Sequence, residues 1–193
     1  MSKIITEYSH LVDRINIKIL QIVKQHDKHI KCKKRCSSCC LNLTVLPVEF
    51  YAIYSGIKSQ QLKIKKIHFN EQHSCGFLKN DLCQIYPFRP IICRTHGYPV
   101  SFYDPEISTE SYQVSYCEKN FKSEREMETA FNSENTLDID RINQELQNLN
   151  KKYLKINCHN HPDIQNFQTE KYSPHSDRIP LKNLLYIKSD LFL

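Results

Sequence analysis

Glycine, tryptophan and long apolar runs are scarce or absent in this sequence. Only three glycines and no tryptophan occur among 193 residues. So few glycines exclude the glycine-rich loops with which P-loop and dinucleotide-binding proteins cradle phosphate groups. No stretch approaches the roughly 18–20 consecutive apolar residues of a membrane-spanning helix, so we expect no membrane span. Internal repeats and low-complexity tracts are also missing, so neither a repeat architecture nor a biased tail is expected.

The length of the chain suits one domain with a hydrophobic core rather than two. We expect a single domain over 1–193, with an N-terminal helix in 1–31, a cysteine-cluster core in 32–117, and helices followed by an irregular tail in 118–193. Charged residues interrupt 1–31 throughout, so this stretch has no apolar core of a secretion signal. A reducing, cytoplasmic location is therefore expected.

The positive charge is concentrated at one end of the sequence. Residues 1–35 hold nine Lys and Arg against three Asp and Glu, which accounts for the whole formal charge of +6. Such a run can offset the charge of a thiolate-bound metal, meet an acidic partner, or form a solvated helix face. No aromatic residues are interleaved with it, so nucleic-acid binding is disfavoured.

Nine cysteines stand out against these absences. Cys32, Cys36, Cys39 and Cys40 follow the spacing C-x3-C-x2-C-C, and Cys75, Cys83, Cys93, Cys117 and Cys158 follow at longer intervals. In a reducing compartment, clustered cysteines are metal ligands or redox groups rather than disulfides. A segment as short as 32–40 can turn several thiolates toward one point, as a soft metal ion or an iron–sulfur cluster requires.

Four ligands complete either kind of site. The spacing of Cys32, Cys36 and Cys39 suits three corners of a [4Fe–4S] cluster. Adjacent Cys39 and Cys40 are expected to point apart, so that they serve two metals or one of them packs instead. Hairpin and corner geometry is expected to bring Cys75, Cys83 and Cys93 to the same region.

Two arginines flank Cys93 and are candidate cofactor-binding residues. The guanidinium groups of Arg89 and Arg94 can donate hydrogen bonds to thiolate or sulfide, although ordinary surface positions explain them as well. His96 is the histidine closest to Cys93 and the only further ligand candidate there. The stretch 158–161, Cys-His-Asn-His, is either a second metal patch or, as we favour, an exposed turn.

Apolar periodicity predicts an α-rich α+β fold with two short β-hairpins around a cysteine-rich, metal-stapled centre. Helices are predicted over 3–30, 47–56, 58–68, 124–132 and 139–155, with Asp138 capping the last. The hairpins are predicted over 75–86, turning at Lys79-Asn80-Asp81, and over 98–116. The segment 179–187 is expected to dock onto the domain.

The cysteine pattern together with Ile85-Tyr86-x2-Arg89-Pro90-x2-Cys93-Arg94 resembles the YkgJ-type cysteine-cluster family, the CxxCxxCC proteins. The family is described as zinc- or iron-chelating domains and sometimes as iron–sulfur oxidoreductases. The resemblance covers roughly 32–117, and Cys117 looks like the cysteine that commonly ends the family's domain. A similar cluster occurs in flagellin lysine methylases, so the resemblance also implies a link to protein or peptide modification.

Two other protein classes share part of the pattern. The spacing C-x3-C-x2-C also occurs in radical S-adenosylmethionine enzymes, but those need a barrel and a glycine-rich strand end that this sequence lacks. Cys36-Ser37-Ser38-Cys39 has the spacing of a thiol–disulfide oxidoreductase motif without its βαβ setting, so this remains a weak alternative.

The favoured hypothesis is a cytoplasmic protein that binds a metal ion or an iron–sulfur cluster, as an accessory to redox chemistry or to protein or peptide modification. The cofactor is then a [4Fe–4S] cluster or iron, with Zn²⁺ as the alternative. The competing hypothesis is a zinc-stapled interaction module without catalysis. No Ser/His/Asp set and no paired carboxylates stand out, so the sequence does not decide whether the protein is an enzyme, and it allows a protein or peptide partner. We expect the seven cysteines from Cys32 to Cys93 in one compact region, Cys117 at its edge and Cys158 outside it.

Overall fold

The computed structural model describes residues 2–65, 75–106, 112–121, 131–157 and 178–187. Four α-helices lie in these ranges, namely α1 (Ser2–Gln25), α2 (Pro47–Ser59), α3 (Ile91–Thr95) and α4 (Ile139–Asn157). The strands are β1 (Thr44–Val45), β2 (Leu78–Lys79), β3 (Leu82–Cys83), β4 (Val100–Phe102), β5 (Gln113–Ser115), β6 (Leu137–Asp138) and β7 (Ile179–Pro180). Short 3-10 helices cover Tyr86–Phe88 and Leu181–Tyr186. The predicted α-rich α+β class is confirmed.

The chain divides into two compact units. Unit 1 comprises Met1–Tyr8, Lys34–Pro90 and Gln147–Leu193, and unit 2 comprises Ser9–Lys33 and Ile91–Leu146. Helices α1 and α4 each contribute residues to both units. The organisation of 1–193 as one domain stays a prediction.

Helix α1 follows the predicted apolar stripe but is shorter than predicted. Its buried residues recur every three or four positions, as an amphipathic helix requires. The helix ends at Gln25 rather than at 30. The chain leaves the helix because the Asp27 carboxylate accepts the N–H of Lys28 at 2.7 Å, and because the N–H groups of Lys31 and Cys32 are bound by Asn120. The stripe consists of Ile4, Tyr8, Leu11, Ile15, Ile19 and Ile22.

Helix α2 anchors unit 1. Pro47 stands at its first turn, as predicted, where a missing N–H costs nothing. The next free N–H, that of Val48, donates to Asn150 Oδ1 of α4 at 3.1 Å. The helix continues to Ser59, three residues beyond the prediction. The separate helix predicted over 58–68 is wrong for 60–65, because the chain turns there through Gln61 at a φ of 50°. The last part of that prediction, 66–68, lies outside the described residues.

A two-stranded sheet in unit 1 joins distant parts of the sequence. Strand β1 pairs antiparallel with β7, with Thr44 opposite Pro180 and Val45 opposite Ile179. The Arg178 side chain reinforces the pairing by donating to the Thr44 carbonyl at 2.7 Å. The 3-10 helix that follows β7 packs on α2, so the predicted docking of 179–187 is confirmed.

The first predicted hairpin is confirmed as β2 and β3 in unit 1. Asn80 and Asp81 form its two-residue turn with φ values of 50° and 61°. Positive φ at both central residues defines a type I′ turn, which Asn and Asp tolerate better than other non-glycine residues and which matches the twist of the strands. The hairpin therefore has a fixed register, with Leu78 opposite Cys83.

Unit 2 contains a three-stranded sheet in the order β5-β4-β6. Strands β4 and β5 are antiparallel and confirm the second predicted hairpin. Strand β6, which the sequence did not predict, runs parallel to β4 and leads directly into α4. Asp138 caps this helix by accepting the N–H of Arg141 at 2.9 Å, as predicted.

Two remaining predictions concern other parts of the chain. The helix predicted over 124–132 falls largely on 122–130, outside the described residues. Within the ranges that the structure describes, no helix is both long and apolar enough to cross a lipid bilayer.

Candidate metal centre

The cysteine loop of unit 1 is a tight turn held to the β2–β3 hairpin. Arg35 adopts a φ of 77°, a left-handed conformation that lets the chain reverse ahead of Cys36. The N–H of Cys40 donates to the Ser37 carbonyl at 2.8 Å and closes the turn. The Ser37 hydroxyl donates to Asp81 Oδ1 at 2.6 Å, so the loop is fixed to the tip of the hairpin.

Backbone bonds bring two further cysteines to this loop. The N–H of Cys75 donates to the carbonyl of Cys40 at 3.1 Å, and the Cys75 carbonyl accepts the N–H of Leu78 at 3.0 Å. Leu78 is in turn the cross-strand partner of Cys83. Cys39, Cys40, Cys75 and Cys83 thus converge in unit 1, and we refer to these four side chains as the four-thiol group.

Electrostatics show that the members of the four-thiol group are close enough to affect one another. Burial, followed by the neighbouring Cys39, Cys75 and Cys83, raises the pKa of the Cys40 thiol from 9.0 to about 12. The Cys39 side chain contributes to this rise through its charge and as a hydrogen-bond partner. The expectation that the two adjacent side chains point apart stays a prediction. Ionising several of these thiols together needs a compensating cation.

Two members of the group carry backbone donors for a thiolate. The backbone of Phe77 hydrogen-bonds the Cys75 sulfur, and that of Ile85 hydrogen-bonds the Cys83 sulfur. Each bond lowers the pKa of its thiol, although burial is the larger influence and raises the pKa of both overall. The donor stands two residues after the cysteine in both cases, so the two sites have the same local design.

Arg89 lies on the same side of unit 1 as Cys83. Its guanidinium lies over the Tyr86 ring, 4.0 Å from the centroid, which fixes the arginine at the corner that follows the hairpin. Its charge lowers the pKa of the Cys83 thiol, against the effects of burial and of Cys75. A cation in this position favours the thiolate form.

Three other predicted ligands belong to unit 2, where Asn120 connects their segments. The Asn120 side chain is 2 % exposed. Its Oδ1 accepts the N–H groups of Lys31 at 2.9 Å and Cys32 at 2.8 Å, and its Nδ2 donates to the Gly97 carbonyl at 2.6 Å. Its own N–H donates to the carbonyl of Cys117 at 2.8 Å. Sequence reasoning missed this residue, because a lone asparagine has no motif spacing.

Gly97 gives Cys32 the space that it occupies. A Cβ at position 97 would stand 3.1 Å from the Cys32 sulfur, and the φ of +95° is one that side-chain-bearing residues rarely adopt. Gly97 lies four residues after Cys93, which sits half-buried in α3. Cys32, Cys93 and Cys117 form no disulfide bond.

The remaining candidates lie as follows. Arg94 is buried in α3, and its Nη1 donates to Asn16 Oδ1 of α1 at 3.4 Å. His96 is exposed, and Cys36 is half-buried at the start of the unit 1 loop. Cys158 and the histidines of 158–161 lie outside the described residues. The compact region predicted for seven of the cysteines, with Cys117 at its edge, stays a prediction.

The four-thiol group fits a thiophilic metal in its chemistry. Thiolates are ligands for zinc and for iron, and backbone donors together with Arg89 favour the thiolate form. Among the described residues, however, no three His, Cys, Asp or Glu side chains stand in positions that could already hold a metal ion. The four thiols belong to neighbouring segments, but their sulfur atoms are not yet arranged as a set of metal ligands.

Comparison with known proteins agrees with this chemistry. Residues 31–118 match the sequence model of the CxxCxxCC family, described as a "putative zinc- or iron-chelating domain". The resemblance seen in the sequence is therefore confirmed for this part of the chain, and metal binding by its cysteine cluster is supported. Asn120 lies just beyond the matched residues. No curated protein and no solved structure matches the chain significantly.

Proposed function

We propose that the CxxCxxCC segment binds one zinc or iron ion through the four-thiol group, and that this ion holds the cysteine loop, the segment at Cys75 and the β2–β3 hairpin together. The observation that carries the proposal is the pair of matching backbone hydrogen bonds to the Cys75 and Cys83 sulfurs. Donors placed in this way offset part of the cost that burial adds to forming the thiolates, which lowers the cost of assembling the site.

A single ion suits the contact between Cys39 and Cys40 better than a [4Fe–4S] cluster does. Ligands of one tetrahedral ion, with metal–sulfur bonds of about 2.3 Å, are neighbours about 3.8 Å apart. A cluster binds its cysteines on separate irons, so their sulfurs are farther from one another. The influence of Cys39 on the pKa of Cys40, which requires the two side chains to be near one another, therefore supports a mononuclear centre, with zinc as the first choice because it requires no redox partner.

Within this proposal the positive charge of Arg89 stabilises the negatively charged metal site. Four thiolates around a divalent ion carry a net charge of −2, and the guanidinium near Cys83 offsets part of it. A reducing compartment such as the cytoplasm keeps the thiols available as ligands. The structural centre needs no catalytic group, so the proposed function is that of a metal-stapled interaction module rather than an enzyme.

Metal analysis of protein purified without oxygen tests the proposal. We expect about one equivalent of zinc or iron per chain and a colourless or weakly coloured solution, and we expect Cys40→Ser to lose that metal. The matched control is Cys158→Ser, which alters a cysteine outside 31–118 and should keep the metal content. A brown protein with several irons per chain and inorganic sulfide would overturn the mononuclear centre in favour of a cluster.

A second variant separates a ligand defect from a folding defect. Arg89→Gln leaves all cysteines in place but removes the charge near Cys83. We expect it to keep the fold and to bind the metal more weakly in competition with a chelator. An affinity equal to that of the unaltered chain would argue against a site of net negative charge at Cys83.

A further inference from the structure

Unit 2 contains a cavity that the cysteine chemistry does not use. Its volume is about 590 Å³, and no cysteine is among the described residues that line it. This volume lies in the range of roughly 300–1,000 Å³ that is typical of small-molecule sites. Apolar side chains from α1, β5, β6 and α4 form its floor, namely Leu11, Ile15, Val114, Leu137 and Ile142.

The rim of the cavity is charged, with a positive excess. Among the described residues it carries Arg14, Lys18 and Arg141 against Asp138 and Glu145. Both guanidinium groups pair with the same carboxylate, that of Glu145. Two cations thus share one anion in a cavity whose lining also includes apolar side chains and the polar residues Ser101, Asn132, Ser133 and Thr136.

The other two charged groups of the rim already have backbone partners. Asp138 caps α4 through the N–H of Arg141. Lys18 Nζ donates to the carbonyls of Ser133 at 3.2 Å and Glu134 at 2.6 Å, which fixes the loop before β6. Lys18 therefore keeps at most one of its three donors, whereas each arginine keeps several of its five.

Each guanidinium has five N–H donors in a planar fork. The bonds to Glu145 use Nη2 of Arg14 and Nε of Arg141, and the side chains are 58 % and 76 % exposed. Donors on both side chains thus remain accessible from solvent. Paired guanidinium forks are suited to bidentate recognition of a carboxylate.

We propose that this cavity binds an organic carboxylate with an apolar body, whose chain or ring lies on the floor and whose carboxylate lies against Arg14 and Arg141. Charge complementarity selects an anion over a cation, because the rim has an excess of positive charge. The apolar floor selects an organic acid over an inorganic anion, which would leave most of the cavity unfilled. The inference is independent of the metal centre.

The absence of tryptophan from the sequence provides a specific reporter. Tyr112 lines the cavity and is 66 % exposed, so Tyr112→Trp places the only indole of the chain at the mouth of the site without disturbing the core. Sodium octanoate and 1-octanol are the probes, since they share the apolar chain and differ in the carboxylate. Calorimetry with the unsubstituted chain provides a second measurement free of the reporter.

We expect octanoate to shift the tryptophan emission saturably and to bind at least about tenfold more tightly than 1-octanol, since hydrogen bonds to charged groups are the stronger kind. Arg14→Gln combined with Arg141→Gln should abolish this preference while leaving the circular dichroism spectrum unchanged. Lys151→Gln, which removes an exposed charge elsewhere on α4, is the matched control and should retain the preference.

Two results would overturn the proposal. Equal binding of octanoate and 1-octanol would show that the arginines do not select an anion. Failure of octanoate to bind the unsubstituted chain in calorimetry, at concentrations up to its solubility, would show that the cavity is not a site for organic acids.

Discussion

Replacing Asn120 by alanine should loosen the segments that carry the unit 2 cysteines. The substitution removes the partner of two N–H groups, those of Lys31 and Cys32, and of the Gly97 carbonyl. The backbone of residue 120 is unaffected, so its bond to the Cys117 carbonyl persists. The variant thus isolates the side-chain bonds.

The expected cost follows from the three backbone groups that lose their partner. A buried polar group without a hydrogen bond costs about 1–3 kcal/mol. These bonds are only partly buried, so water reaches some of the released groups and the lower end applies. We therefore expect a loss of about 3 kcal/mol in the free energy of unfolding of unit 2, equivalent to about 100-fold faster opening of the Lys31 and Cys32 amides.

Urea unfolding combined with amide hydrogen exchange measures both quantities. Glu118→Ala is the control, because Glu118 is an exposed side chain on the same turn and should change neither quantity. A loss below about 1 kcal/mol, with amide exchange at Lys31 and Cys32 unchanged from the control, would show that Asn120 does not organise this region.

Three further outcomes are expected. Gly56→Ala should destabilise the protein by about 1–3 kcal/mol in urea unfolding, although alanine usually favours a helix, because the new Cβ would overlap the ring of Phe88. Phe88→Leu should relieve the loss, and a stabilised Gly56→Ala would contradict the packing. Burial is the larger cause, and the charge of His29 the smaller one, of a lowered pKa of the His26 imidazole. The unfolded chain therefore binds a proton that the folded chain does not, and the free energy of unfolding should fall as the pH drops below about 6.5. His26→Phe should flatten that dependence, and an equal slope in both proteins would exclude His26 as the cause. Complete removal of the metal with a chelator should lower the thermal midpoint, and an unchanged midpoint would rule out a structural metal.

The elements with a regular pattern could be predicted from the sequence. The three- and four-residue spacing of apolar residues predicted α1 and α4, and Lys79-Asn80-Asp81 predicted the turn between β2 and β3, although Lys79 itself belongs to β2. The cysteine spacing predicted, without reference to the fold, the resemblance to the CxxCxxCC model that matches residues 31–118. These predictions succeed because each feature depends on residues that are close to one another in the sequence.

The features that the sequence did not reveal depend on distant neighbours. Strands β1 and β7 contain two residues each, too few for an alternating pattern, and β6 is equally short. The approach of Cys75 to Cys40 depends on a backbone bond between segments 35 residues apart and on the turn closed at Ser37, neither of which has a spacing signal in the sequence. The end of α1 was misplaced for the same reason, since Asn120 acts across 88 residues to bind Cys32.

The pairing of β1 with β7 has a consequence for the order of events during synthesis. Arg178 and Thr44, which join the two strands, are 134 residues apart. A ribosome that adds roughly 5–20 residues per second needs roughly 7–27 seconds to make that stretch. Cys39 and Cys40 are translated just before this interval and Cys75 and Cys83 within it, so all four cysteines of the four-thiol group precede Arg178. If the four thiols bind one ion as proposed, the nascent chain can take up that ion before β1 pairs with β7, and the supply of metal at the ribosome would then affect how efficiently the protein folds.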